Sequence, residues 1–328
     1  MNNRGDSSRT GTAPSEWVPG GGRLEWVDVA RGVGIIAVVV GHVWTRGPLR
    51  DAVYSFHMPL FFLLSGLLSR PQAPGAFAVR QLGSQMRPYA AFLTLLILAD
   101  QIVEPLKGHR PISDQWPQDL LPVLLGGSWL RGPYTIFWFV PCLMVGRILF
   151  NMLLTRWPDP LDRRWMLVML LLLPFAYITG RITDISVLGS LSVPMAIALL
   201  WIGCAWQKVG WRRWFWWPLA ALSLAGLSGL LPTLNMKAGD YGMPLLSIGS
   251  AIATSLLLFR FSVRMGPVGG WLAAIGRASL VIMYLHVAVI HYLAPMMGKS
   301  WLMTLALALP MAAYHLMKCS SVTRRIFL

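Results

Sequence analysis

The sequence predicts an all-α integral membrane protein of about ten transmembrane helices, with both termini in the cytoplasm. Composition is the first observation behind this. Of 328 residues, 55% are hydrophobic and only 12% are charged, where soluble domains carry roughly 25% charged residues. The second is patterning. Mean hydropathy is +0.58, and apolar runs recur at about the 20-residue length that a helix needs to cross a bilayer. The third is charge placement. With the N-terminus inside, seventeen of the 28 Lys and Arg fall in cytoplasmic segments and eight in outer segments. The remaining three, Arg31, Arg147 and Arg277, lie within spans. That asymmetry is the positive-inside pattern of an even number of spans.

Taken in order, residues 1–23 are polar and rich in Gly, Ser, Thr and Pro, and read as a disordered cytoplasmic tail. No apolar core follows early enough for a cleaved signal peptide. Spans are expected near 27–45, 52–70, 86–105, 134–154, 165–180, 187–207, 214–231, 241–260, 271–293 and 301–317. The longest internal polar stretch, 106–133, is broken by Gly126-Gly127 and Gly132-Pro133. The seventh span opens with Trp214, Trp216 and Trp217 beside Arg212 and Arg213, an interfacial anchor. Residues 24–328 thus form one polytopic domain. No internal repeat stands out, and no broken helices fall at matching positions, which argues against an inverted-repeat transporter.

The formal net charge is +15. In a soluble protein this would point to nucleic acid. Here the basic residues lie between apolar runs, so they orient the chain and attract anionic lipid or an anionic cofactor, and no nucleic-acid partner is expected. The three cysteines, Cys142, Cys204 and Cys319, have no metal-ligand spacing and read as small hydrophobes. No His/Cys/carboxylate cluster of metal spacing stands in the sequence, so no metal is expected.

The first span carries the chemistry. Asp28, Arg31 and His42 share one apolar stretch, and ionisable groups survive in lipid mainly where they pair, meet water or react. Arg31 lies near the inner end, and His42 sits about 16.5 Å further along a straight helix. Asp28, about 21 Å from His42 on the same helix, pairs more simply with Arg31, three residues on. Helices that alternate in direction bring His57 and His286 to roughly the depth of His42. Imidazole suits a general base at neutral pH.

These residues also carry a resemblance. Leu24-Glu25-Trp26-Val27-Asp28-Val29-Ala30-Arg31-Gly32, followed by His42, resembles the first-helix signature of the membrane acyltransferase type 3 family. Ser55-Phe56-His57-Met58-Pro59 through Ser65-Gly66 is similar to the second helix of its fucose 4-O-acetylase-like branch. Arg87-Pro88-Tyr89, Trp138-Phe139-Val140, Asn235-Met236 through Tyr241-Gly242, and Ile275-Gly276-Arg277-Ala278-Ser279-Leu280 with His286 resemble later segments. The likeness covers about 24–292. Where many members place two arginines three positions apart before the third helix, this chain has Arg80 and Arg87, and only Arg87 matches well.

The resemblance implies transfer of an acetyl group from acetyl-CoA to a sugar hydroxyl. The acceptor would be a lipid-linked, surface or secreted polysaccharide such as a xanthan-type exopolysaccharide, at a bacterial inner membrane and alongside polysaccharide assembly machinery. It implies that Arg31 and His42 form the essential pair, with His57 and Asp28 joining them as catalytic candidates. Arg31, Arg80 and Arg87 would meet the donor's phosphates. Tyr284, His57 and Ser65 are candidates for holding the oxyanion, with His286, Trp138 and Asn235 as further substrate contacts. Ser65-Gly66 also reads as a small-residue helix contact. Direct transfer is the simpler chemistry than a covalent acyl-His42. The alternative readings are a transporter that handles protons or anions through buried Arg and His, and a non-catalytic scaffold.

Overall fold

The computed structural model describes residues 24–265 and 269–328; the expected tail, 1–23, lies outside the described residues. In order, the helices are α1 (Glu25–Val43), α2 (Pro48–Tyr54), α3 (His57–Leu67), α4 (Pro74–Leu106), α5 (Leu120–Leu125), α6 (Phe139–Arg156) and α7 (Arg163–Ile182). They continue as α8 (Val193–Val209), α9 (Trp216–Leu227), α10 (Leu246–Met265), α11 (Gly270–Arg277), α12 (Ser279–Leu293), α13 (Lys299–Cys319) and α14 (Ser321–Phe327). Among the described residues there is no β-strand; one isolated bridge pairs Asn235 with Asp240.

The chain is an all-helical, multi-pass membrane protein. Among the described residues seven helical segments are long and apolar enough to cross a bilayer, and α11 with α12, bent by 75°, makes an eighth. The expected ten are corrected at two places. The second apolar segment, 52–70, breaks at Ser55-Phe56 and leaves α3 with 11 residues. The seventh, 214–231, ends at Ser228-Gly229 and leaves α9 with 12 residues. At 1.5 Å per residue these helices rise roughly 17 and 18 Å, short of the ~30 Å hydrocarbon core. The bend at Ala278 occurs once among the described residues and has no counterpart at a matching position.

Hydrophobicity all round a helix means burial on all sides, and α3 shows it. Leu60, Phe62, Leu63 and Leu67 are fully enclosed. Backbone approach makes this possible. Gly66 of α3 lies against the Leu200 carbonyl of α8, and Gly203 of α8 lies against the Leu63 carbonyl of α3. A Cβ at either glycine would collide with backbone, so only the smallest residue fits. The hydrophobic stretch of α1 is 72% buried, whereas those of α7 and α13 are 17% buried. The helix that carries Asp28, Arg31 and His42 therefore stands at the centre, and the leucine-rich α7 and α13 face outward to lipid.

Candidate functional site

One face of α1 organises the site. Arg31, Ile35 and Val38 line a cavity of about 290 Å³. His42 lines a second cavity of about 250 Å³. Spacings of four, three and four residues put all four side chains on one helical stripe. A matching stripe faces it. Ile136, Phe139, Leu143 and Arg147 follow the 3₁₀ segment Gly132–Trp138 into α6 and line the first cavity. Met58, Phe61 and Ser65 of α3 supply a third wall, and Arg277, Ser279, Leu280 and Met283 at the α11–α12 bend supply a fourth. Met58 and Ile136 line both cavities, so the two adjoin across those side chains.

The first cavity is an arginine chamber. Arg31, Arg147 and Arg277 line it, and among the described residues no carboxylate does. Arg31 is held by Asp28 at 3.9 Å and also borders an open depression of about 550 Å³ at the Arg31 end of α1. The Nε of Arg147 is buried without a hydrogen-bond partner. Ser279 begins α12, a 15-residue helix whose first N–H groups are uncapped by any side chain. A helix N-terminus and convergent guanidinium groups both favour anions. Ser65 faces this chamber, while the helix contact is made by Gly66.

The second cavity is a histidine chamber. His42 and His57 line it together with Tyr54, Thr135, Trp138, Asn235 and Lys237. The His42 ring packs edge-on to His286, with centroids 5.0 Å apart. His286 Nδ1 donates to the Ile282 and Met283 carbonyls at 2.8 Å, and its Nε2 has no partner. A neutral imidazole that donates from Nδ1 keeps Nε2 as an acceptor. His57 is arranged in the same way, with Nδ1 on the Val53 carbonyl at 2.8 Å. Outside the spans, the Lys237 ammonium donates to the Leu130 carbonyl at 3.1 Å and to Thr135 Oγ1 at 2.7 Å.

Several sequence candidates lie elsewhere. Arg80 bonds the Gln72 side chain and lies over the Phe77 ring, and Arg87 donates to the Arg325 carbonyl at 3.0 Å. Neither lines a chamber. Tyr284 is fully buried, stacked on Phe92 at 4.8 Å, with its hydroxyl unpartnered and outside both linings. Asp28 supports Arg31 and is remote from His42. Sequence reading missed Arg147, Arg277, Thr135 and Lys237 as site residues. For Arg147 a signal existed, since it completes the Ile136, Phe139, Leu143 stripe at helical spacing.

A third polar group assembles through space. Asp100, Glu104 and His291 bring ligand-type atoms within 4.8 Å of one another, a grouping invisible in linear spacing apart from the Asp100–Glu104 pair. Its oxygens are engaged. Asp100 accepts from the Ile112 N–H at 2.7 Å and the Tyr292 hydroxyl at 3.1 Å. Glu104 meets Lys107 at 3.2 Å, His109 at 3.1 Å and His291 at 3.6 Å. With the Lys107 ammonium supplying positive charge beside Glu104, the cluster fastens the 107–113 loop onto α4 and α12.

In comparison with known families, the acyltransferase 3 family, described as an acyltransferase domain, matches residues 24–314. No curated protein and no solved structure matches the chain.

Proposed function

The chain belongs to the acyltransferase 3 family, and from that premise we propose that it moves an acetyl group from acetyl-CoA to a sugar hydroxyl of a lipid-linked or secreted polysaccharide. The observation that carries this reading is the shared stripe of α1, with Arg31 in one chamber and His42 in the next. The Arg31 end opens to the cytoplasm in this reading, where CoA is made. The nucleotide lies in the open depression, its phosphates meeting Arg31, Arg147 and Arg277. The pantetheine arm threads the apolar middle past Ile35, Val38 and Leu143. This covers the roughly 16.5 Å between Arg31 and His42 and delivers the thioester to the partition at Met58 and Ile136.

In the histidine chamber, His42 takes the proton of the acceptor hydroxyl as its oxygen attacks the thioester carbonyl. The carbonyl π bond opens to an oxyanion, which the N–H donors of Trp138 and Asn235 stabilise in place of Tyr284. The intermediate collapses with cleavage of the C–S bond. The proton held on His42 passes to the departing thiolate, which leaves CoA as a thiol and an O-acetylated sugar. His286 positions the base by packing edge-on against the His42 ring, with centroids 5.0 Å apart. His57 accepts from a second hydroxyl and orients the sugar, because a neutral ring donating from Nδ1 cannot also donate to an oxyanion. Ser65 contacts the pantetheine arm.

The test is acetyl transfer by the purified protein in lipid nanodiscs, with isotopically labelled acetyl-CoA and glycans extracted from cells lacking this chain, read by mass spectrometry and proton NMR. A new O-acetyl ester on the glycan supports the reading. Intact acetyl-CoA with every glycan fraction, alongside proton or anion flux in liposomes, would support the transport alternative instead.

A further inference from the structure

We propose that the histidine chamber is built for an acceptor that carries an anionic group beside the hydroxyl to be acylated, and that Lys237 is the residue that binds it. The inference rests on the acyl-transfer reading above and narrows its acceptor. Lys237 lies on the short 3₁₀ turn Met236–Ala238 and lines the chamber with His42 and His57. Its ammonium has three N–H donors, of which the Leu130 carbonyl and Thr135 Oγ1 take two. Both of those partners are neutral. Among the described residues no carboxylate lines the chamber and none forms an ion pair with Lys237. Burial, with the Arg131 guanidinium adding a like charge, pushes the Lys237 ammonium below its ordinary range.

The neighbourhood sharpens the point. Arg50 lies over the ring of Tyr54, another lining residue, at 4.0 Å, and spends its own charge on Asp51 at 3.0 Å. That pair is balanced, while Lys237 is not. Partly desolvating a cation with no anion beside it is costly, and a loop tie alone could be made by a neutral donor. A bound carboxylate or phosphate would take the third N–H as a charge-assisted bond. Asn235 and Thr135, on the same wall, offer neutral groups to the sugar hydroxyls around it. Two sources present this chemistry: the carboxylate of a uronic-acid residue, and the diphosphate of a lipid-linked sugar.

The experiment measures acetyl transfer by the full chain in nanodiscs to three acceptors: a neutral oligosaccharide, the same oligosaccharide with one uronic-acid residue, and the neutral sugar on a polyprenyl diphosphate. The readout is the ratio of kcat/KM for each anionic acceptor to that for the neutral one. In the wild type at least one ratio is expected to be about tenfold or more, the worth of one hydrogen bond to a charged group. Which acceptor shows it assigns the source of the anion. Lys237→Met should bring that ratio to about one, and Lys237→Arg should keep most of it. A wild-type ratio near one for both anionic acceptors, with the neutral acceptor acetylated, overturns the inference and leaves acyl transfer standing. A ratio that Lys237→Met leaves unchanged overturns it as well. Transfer to none of the three overturns the acyl-transfer reading and the inference together. The wild-type ratios decide the matter even where a Lys237 variant fails to fold.

Discussion

The arginine chamber and the histidine chamber adjoin at Met58 and Ile136 yet are made of different materials. The first has an apolar middle with guanidinium groups at one end, and a guanidinium keeps its charge at any working pH. The second gathers imidazoles, two hydroxyls, an amide, an indole and an amine, groups that pass protons or donate and accept hydrogen bonds. In the proposed reading, the fixed charge holds the donor's phosphates and the movable protons serve the acyl transfer. The division of labour follows from side-chain chemistry, and one helix, α1, carries a residue of each kind on the same stripe.

The largest expected effect breaks the histidine chamber alone. His42→Ala should lower kcat for acetyl transfer by about 10²–10⁴ and leave KM for acetyl-CoA within about threefold. Among the described residues the His42 ring makes no hydrogen bond and only packs against His286, so yield and thermal stability should match the wild type. Steady-state kinetics and a melting curve in detergent check both. Equal losses in kcat and in donor affinity would mean that the two chambers are one site.

The arginine chamber should break in the opposite sense. Arg147→Ala and Arg277→Ala should each raise KM for acetyl-CoA about tenfold or more, the worth of a charge-assisted hydrogen bond, with kcat changed less than KM. Arg80→Ala and Arg87→Ala should leave that KM within about twofold, because neither side chain lines a chamber. Donor titration of the four variants sorts them, and a large effect at Arg80 with none at Arg147 would move the donor out of this cavity.

Scaffold effects come next. Gly66→Ala puts a Cβ against the Leu200 carbonyl, and overpacking of this kind costs about 1–3 kcal/mol, read as a lower melting temperature with both chambers affected alike. The smallest effect belongs to Tyr284→Phe. Removing a buried, unpartnered hydroxyl is neutral or slightly stabilising, up to about 1 kcal/mol, and activity should stay within about twofold. A loss of activity there would return Tyr284 to the oxyanion.

Tyr284 also shows where sequence reading stops. The depth of a residue along a helix can be counted at 1.5 Å per position, but the neighbour that a helix face meets depends on packing. Tyr284 and His286 are two positions apart, about 200° around the helix, so one ring meets Phe92 and the other meets His42. Arg31 and His42 were legible because their stripe is internal to one helix. The apposed Arg147 and Arg277 were legible only as charges inside spans, because what they face comes from other helices. The all-helical membrane class followed from composition. The exact number of spans did not, since an apolar run hides breaks such as Ser55-Phe56 in α2–α3 and Gly229 after α9. Asp100, Glu104 and His291 were missed for a related reason: His291 arrives from a different helix.

The measurement that tests the central claim most directly is a cryo-electron microscopy structure of the full chain in nanodiscs with a non-hydrolysable acetyl-CoA analogue. The account predicts phosphate density against Arg31, Arg147 and Arg277. It also predicts an arm passing Ile35 and Val38, and the thioester mimic at Met58 and Ile136 within hydrogen-bond reach of an acceptor hydroxyl held by His42. An analogue bound with its acyl end away from His42, or outside the arginine chamber altogether, would contradict it.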